Sequence, residues 1–146
     1  MYRFPTEESL TVEFKSDRNC LPDNDIIDAV VAFANTEGGD LYLGIEDDGT
    51  ITGLHPKHRD ITRLTAFIAN KTVPPVSTRA TILHDGQCDV LKLSVPRYTS
   101  IVASAAGKIQ KRRLKADHTP ENVPLYPYEI PQRLSSLSLL DFSAQP

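Results

Sequence analysis

A helix that stops at two consecutive glycines and leads straight into an apolar strand leaves little freedom for the chain around it. Ile26, Ile27, Val30, Val31 and Ala34 recur at helical spacing. Asp23 or Asn24 stands where an N-cap belongs, Asp25 and Asp28 suit the positive end of the helix dipole, and Gly38-Gly39 supplies a left-handed exit. Leu41-Tyr42-Leu43-Gly44-Ile45 then reads as a strand, and Asp48-Gly49 as a turn into a hairpin partner at residues 50–54. Upstream, residues 10–14 alternate. Leu10, Val12 and Phe14 share one side and Thr11 and Glu13 the other, which predicts a half-buried strand with Glu13 turned away from the core.

The remainder follows the same logic with weaker punctuation. Ile61, Leu64, Phe67 and Ile68 predict a second amphipathic helix over residues 57–70, ended before Val73-Pro74-Pro75. Residues 78–84 and 88–95 flank Asp85-Gly86 as a hairpin, and residues 101–103 and 108–114 around Gly107 predict a last, basic one. Pro120, Pro124, Pro127 and Pro131 punctuate the tail, leaving a short helix near residues 128–137. The expected class is α+β: a mixed β-sheet with hairpins, packed by two main helices and a short C-terminal helix. A chain of 146 residues with 40% hydrophobic content suits one domain, here residues 1–138, with residues 139–146 read as a linker toward a missing C-terminal part.

Charge is unevenly spread. Residues 1–60 hold 13 acids and 5 bases, a net of −8, and the rest hold 6 acids and 11 bases, a net of +5. From Arg97 to Lys115 there are six bases and no acid, a positive field suited to phosphate if the side chains share a face, and otherwise a solvated strand edge. No apolar run approaches the roughly 20 residues that a membrane helix needs. The N-terminus lacks a secretory pattern and Cys20 and Cys88 have no metal-ligand spacing, so a cytoplasmic location and no membrane partner are expected. His55, His58, His84 and His118 are dispersed and read as structural rather than zinc ligands, while residues 36–40 lack the lysine and spacing of a phosphate-binding loop.

Glu8-Ser9, Val12-Glu13-Phe14-Lys15, Ala32-Phe33-Ala34-Asn35-Thr36-Glu37-Gly38-Gly39 and Gly44-Ile45-Glu46-Asp47-Asp48-Gly49, with Gly53-Leu54 after them, resemble the Schlafen-type Alba-like domain. The resemblance covers most of the chain. It implies a nucleic-acid-binding domain of the kind found at the N-terminus of bacterial and archaeal transcriptional regulators. Eukaryotic Schlafen proteins of this fold are metal-dependent RNA nucleases that use three carboxylates, which the resemblance carries onto Glu8, Glu13 and the turn holding Glu46, with Asp47 and Asp48 adjacent. Glu46 stands where an aspartate is expected, and the extra methylene displaces the carboxylate in a site that demands near-ideal octahedral geometry.

Three readings follow. In the leading one the domain binds DNA, or RNA, through phosphate contacts from Lys108, Lys111, Arg112, Arg113 and Lys115, with Lys15 and Arg79 as further candidates. In the second it is a nuclease in which Glu8, Glu13 and Glu46 hold Mg²⁺ or Mn²⁺, with Asp48 an alternative third acid. In the third it is an interaction module, a homodimer in which the basic hairpin meets the acidic half of a second copy. Tyr42, Tyr98, Tyr126 and Tyr128 are candidates for base stacking or for packing.

Overall fold

The computed structural model describes residues 2–144, and the side chains as far as Leu137. The elements run β1 (Val12–Lys15), α1 (Asp23–Ala34), β2 (Gly39–Leu43), α2 (Ile61–Asn70), β3 (Thr72–Val73), β4 (Arg79–Asp85), β5 (Cys88–Val95), β6 (Ala103–Ser104), β7 (Gln110–Leu114), β8 (Pro120–Pro124) and α3 (Glu129–Ala144), with a 3₁₀ turn at Pro56–His58 before α2. The main sheet has the order β1-β2-β5-β4. β1 and β2 are parallel and the other two pairs antiparallel, so the sheet is mixed and the fold is α+β. Among the described residues no helix is long and apolar enough to cross a membrane.

Strand alternation gives the sheet two different faces. Leu41, Leu43, Leu91, Leu93 and Val95 pack against Ile26, Val30, Phe33 and Ala34 of α1 and Leu64 and Ile68 of α2. Phe14, Tyr42 and Val90 point the other way, onto Ile45 and the half-buried Tyr2 and Phe4 of the N-terminal segment. Burying a side chain of this size is worth about 1.5–3 kcal/mol, so two covered faces hold the short strands firmly.

Gly38 has φ +72°, and its N–H donates to Phe33 O at 2.8 Å, closing α1 as the double glycine predicts. A Cβ on Gly38 would lie 2.7 Å from Val95 O, and one on Gly39 2.5 Å from both the Phe33 ring and Thr11 O. The pair thus lets helix and sheet backbones approach closely.

Several expectations are corrected. The N-cap of α1 is Pro22, with no side-chain bond, because Asp23 already lies inside the first turn. Residues 50–54 form no strand. One bridge, Ile45 to Ile51, closes the acidic turn, and Thr52 N and Gly53 N both donate to Gly44 O. Residues 101–114 are not a single hairpin either: β6 pairs with β3, and β7 pairs with β8 in a separate two-stranded sheet. Pro120 and Pro124 bound β8 rather than forbid it, since each occupies a strand end. Helix α3 continues past Leu137 to Ala144, into the segment read as a linker, of which residues 145–146 lie outside the described residues.

Candidate nucleic-acid interface and carboxylate site

Glu13 sits in β1 opposite Leu41 of β2, which puts its side chain on the helix-covered face of the sheet. It is buried, at 8% exposure, against the expectation that it faces away from the core. Alternation distinguishes the two faces but cannot say that one is open, and here both are covered.

The cover over Glu13 is Arg112. β7 brings the guanidinium over the Phe33 ring, with Cζ 4.5 Å from the centroid and none of the side chain exposed. Nε donates to Leu10 O at 2.7 Å. Nη1 donates to Glu13 Oε1 at 3.1 Å and Asn122 Oδ1 at 3.0 Å, and Nη2 to Ser9 O at 2.6 Å and Val12 O at 3.2 Å. A guanidinium has five N–H donors, and these five acceptors match them in number. Its backbone N–H donates to Thr36 Oγ1 at 2.8 Å, which fixes β7 against the end of α1. Arg112 is therefore withdrawn from the set expected to meet phosphate. Asn122, its cross-strand partner, went unnoticed in the sequence because the prolines concealed β8.

The candidate metal ligands are committed in the same way. Glu8 Oε1 accepts from Phe14 N at 2.9 Å. Burial raises the pKa of Glu8; the Phe14 N–H opposes that shift, while the charges of Glu13 and Asp47 add to it and Arg112 lowers it. Glu13 has one oxygen on Arg112 and the other, Oε2, buried without a hydrogen-bond partner. Glu46 Oε2 accepts from Thr52 Oγ1 at 2.6 Å, and the hydroxyls of Thr52 and then Ser16 hold its pKa below the ordinary value. Asp48 caps its own turn through Thr50 N at 2.9 Å, which likewise lowers its pKa. Glu8, Glu13 and Asp47 are close enough for their charges to interact, whereas Glu46 and Asp48 are engaged around Thr52 and Thr50. Among the described residues no group of three or more His, Cys, Asp or Glu side chains is arranged to hold a metal ion. As placed, the donor set does not fit a divalent cation, and the cation neutralising Glu13 is Arg112.

The acid-free interval is also less positive in space than in sequence. Lys108 Nζ meets Asp28 Oδ2 at 2.9 Å, Lys111 pairs with Glu129, and Arg113 Nε meets Glu121 Oε1 at 2.7 Å. Lys111 lowers the pKa of Glu129, with help from Tyr126 N–H. Lys115 is exposed at the tip of the hairpin; Arg79 is exposed at the start of β4; Lys15 is half-buried at the end of β1. These side chains therefore lie on different parts of the surface. Beyond β8, Tyr126 and Tyr128 stack, with centroids 6.3 Å apart and planes 5° from parallel, and both are exposed. Tyr42 is instead a core residue and Tyr98 packs against the core between the sheet and its helices.

Sequence and architecture together place the chain in a class. It belongs to the Schlafen, AlbA_2 family, whose match covers residues 8–120. The fold is similar to that of the DIP2311 protein from Corynebacterium diphtheriae, with a TM-score of 0.61 and 22% identity over 78% of this chain. This chain spans 25% of that protein's length. It is also similar to the N-terminal domain of a RecG-related protein from Nitrosomonas europaea, with a TM-score of 0.43 and 24% identity over 62% of this chain and 65% of that one.

Proposed function

We propose that this domain is a nucleic-acid-binding module, holding DNA by its phosphates at the N-terminus of a larger transcriptional regulator. Membership of the Schlafen, AlbA_2 family supports the reading. The observation that carries it is the exposure of the bases around β7: the side chains of Lys108 and Arg113 are 54% and 58% exposed despite their acidic partners, and Lys115 is exposed beyond them. Exposed ion pairs are worth only about 0–1 kcal/mol, so a phosphate can displace Asp28 or Glu121 at little cost. Lys111 is more enclosed and contributes less. Arg112 contributes by holding the hairpin in place, not by touching the ligand. Among the described residues no feature supports base-edge readout, so affinity is expected to be nearly independent of sequence.

Binding to labelled duplex DNA and to single-stranded RNA across a salt series tests this, with Mn²⁺ present in one arm and the nucleic acid recovered afterwards. Affinity should fall with salt at a log–log slope of about −0.9 per phosphate neutralised on duplex DNA, or about −0.7 on a single strand. A Lys108→Ala, Arg113→Ala, Lys115→Ala triple variant should bind more weakly to every sequence and flatten the slope. No binding at low salt, or an unaltered triple variant, would remove this surface from the reading. Shortened nucleic acid in the Mn²⁺ arm would favour the carboxylate nuclease instead.

A further inference from the structure

The loop after β1 and the 3₁₀ turn before α2 assemble a second group of reactive side chains. Asp17 is fully buried. Its carboxylate accepts from Leu21 N and His55 N, both at 2.8 Å, and from His58 Nδ1 at 2.8–2.9 Å. These bonds fix the imidazole, which is itself 1% exposed, with Nδ1 on the carboxylate and Nε2 turned toward Cys20 and Asp23. Nε2 faces Cys20 Sγ at 4.0 Å, with Asp23 Oδ1 at 3.6 Å. Cys20 has φ +58°, a left-handed conformation rare for a side chain with a Cβ, held by its N–H to Asp17 O at 3.1 Å. The same aspartate thus orients the histidine and shapes the turn that carries Cys20, a half-buried residue. Neither the candidate nucleic-acid surface nor the carboxylate site uses any of these residues.

We propose that Cys20 is a site of oxidation by a small neutral peroxide, with His58 as the proton donor and Asp17 as the residue that positions it. Cys20 sulfur attacks one peroxide oxygen: the S–O bond forms, the O–O bond breaks, sulfur is oxidised by two electrons to a sulfenic acid and the peroxide is reduced. The thiol proton passes to solvent. The departing oxygen takes the Nε2 proton, leaving as water from hydrogen peroxide, and His58 regains a proton from solvent. His58 suits this donor role because its hydrogen bond to Asp17 raises its pKa more than burial lowers it, with Asp23 adding to the rise. Asp17 and Asp23 lie against His58, and Arg63 Nη2 is 3.8 Å from Asp23 Oδ2, so the charges around the thiol are paired and an uncharged oxidant suits the site.

Cys88 provides an internal control, since it too is half-buried and its side chain lies near Gly53. The folded protein is exposed to hydrogen peroxide in the presence of a carbon nucleophile specific for sulfenic acids, and each cysteine is followed by peptide mass spectrometry. Cys20 should be trapped at least tenfold faster than Cys88. His58→Gln should reduce the Cys20 rate at least tenfold and leave the Cys88 rate unchanged. Iodoacetamide, whose leaving iodide needs no proton, should show a smaller effect of the same substitution. Equal trapping of the two cysteines in the wild-type protein would overturn the proposal without any variant, and so would a folded His58→Gln protein with an unaltered Cys20 rate.

Discussion

Replacing Arg112 by Met keeps much of the aliphatic bulk over Phe33 and removes the charge. It strips Glu13 of its counter-ion and leaves Ser9 O, Leu10 O and Val12 O without their guanidinium donors. The remaining side-chain donor to Glu13, Asn122 Nδ2, is 3.5 Å away and cannot replace an ionic contact. Leaving a buried charge without its partner costs about 3–5 kcal/mol, a large share of the 5–15 kcal/mol typical of a domain. With an m-value of about 2 kcal/mol/M, a loss of about 4 kcal/mol moves the urea midpoint down by about 2 M. Adding Glu13→Gln removes the stranded charge, so the double variant should recover at least half of that loss and a double-mutant cycle should report strong coupling. A single-variant loss below about 1 kcal/mol, or no recovery on adding Glu13→Gln, would refute the argument that Arg112 is the internal cation of this fold.

Gly38→Ala should lose about 1–3 kcal/mol in thermal or urea unfolding, because its Cβ would meet Val95 O and Arg97 N at a positive φ; unchanged stability would show that the helix exit tolerates a side chain. His58 has a pKa raised above its ordinary 6.5, so its contribution to stability is complete below that value and is lost as pH rises through the raised one. Wild-type stability should therefore fall relative to His58→Gln as pH rises above about 6.5, and parallel curves would contradict the Asp17 pairing. Asp60→Ala removes the α2 N-cap, whose carboxylate accepts from Arg63 N at 3.1 Å, and should cost about 1 kcal/mol by urea titration, whereas Asp60→Asn should cost less.

What the sequence made legible was local. The periodicity of α1, the double-glycine stop and the Asp85-Gly86 turn each depend on residues within one or two elements of each other; β5 lies where the sequence pattern puts it, and β1, β2 and β4 have ends displaced by one or two residues from it. β8 was hidden because proline suppresses a strand reading even when it stands at a strand end. Partner choice was lost too: β6 reaches back to β3, and two-residue strands carry no pattern of their own. The basic interval appeared free because the acids that neutralise it, Asp28, Glu129, Glu13 and Glu121, come from four other elements. Glu13 with Arg112 and Asp17 with His58 are separated by 99 and 41 positions, so neither pairing leaves a local signature in the chain.

The β7–β8 hairpin is outside the main sheet, and much of its attachment is made by side chains. Asn35 donates to Val102 O and Gln110 O and accepts from Val102 N, each at 2.8 Å, acting as a single-residue substitute for a neighbouring strand. Thr36 and Arg112 supply further hooks. Such a segment has its own opening equilibrium: releasing these few contacts frees the hairpin while the β1-β2-β5-β4 ladder stays intact. Amide protons of β7 and β8 should then exchange with solvent as one cooperative group, ahead of those in β2 and β5. The surface proposed to meet nucleic acid would be a hinged flap on a rigid base, and ligand that closes it would register as slower exchange in the flap alone.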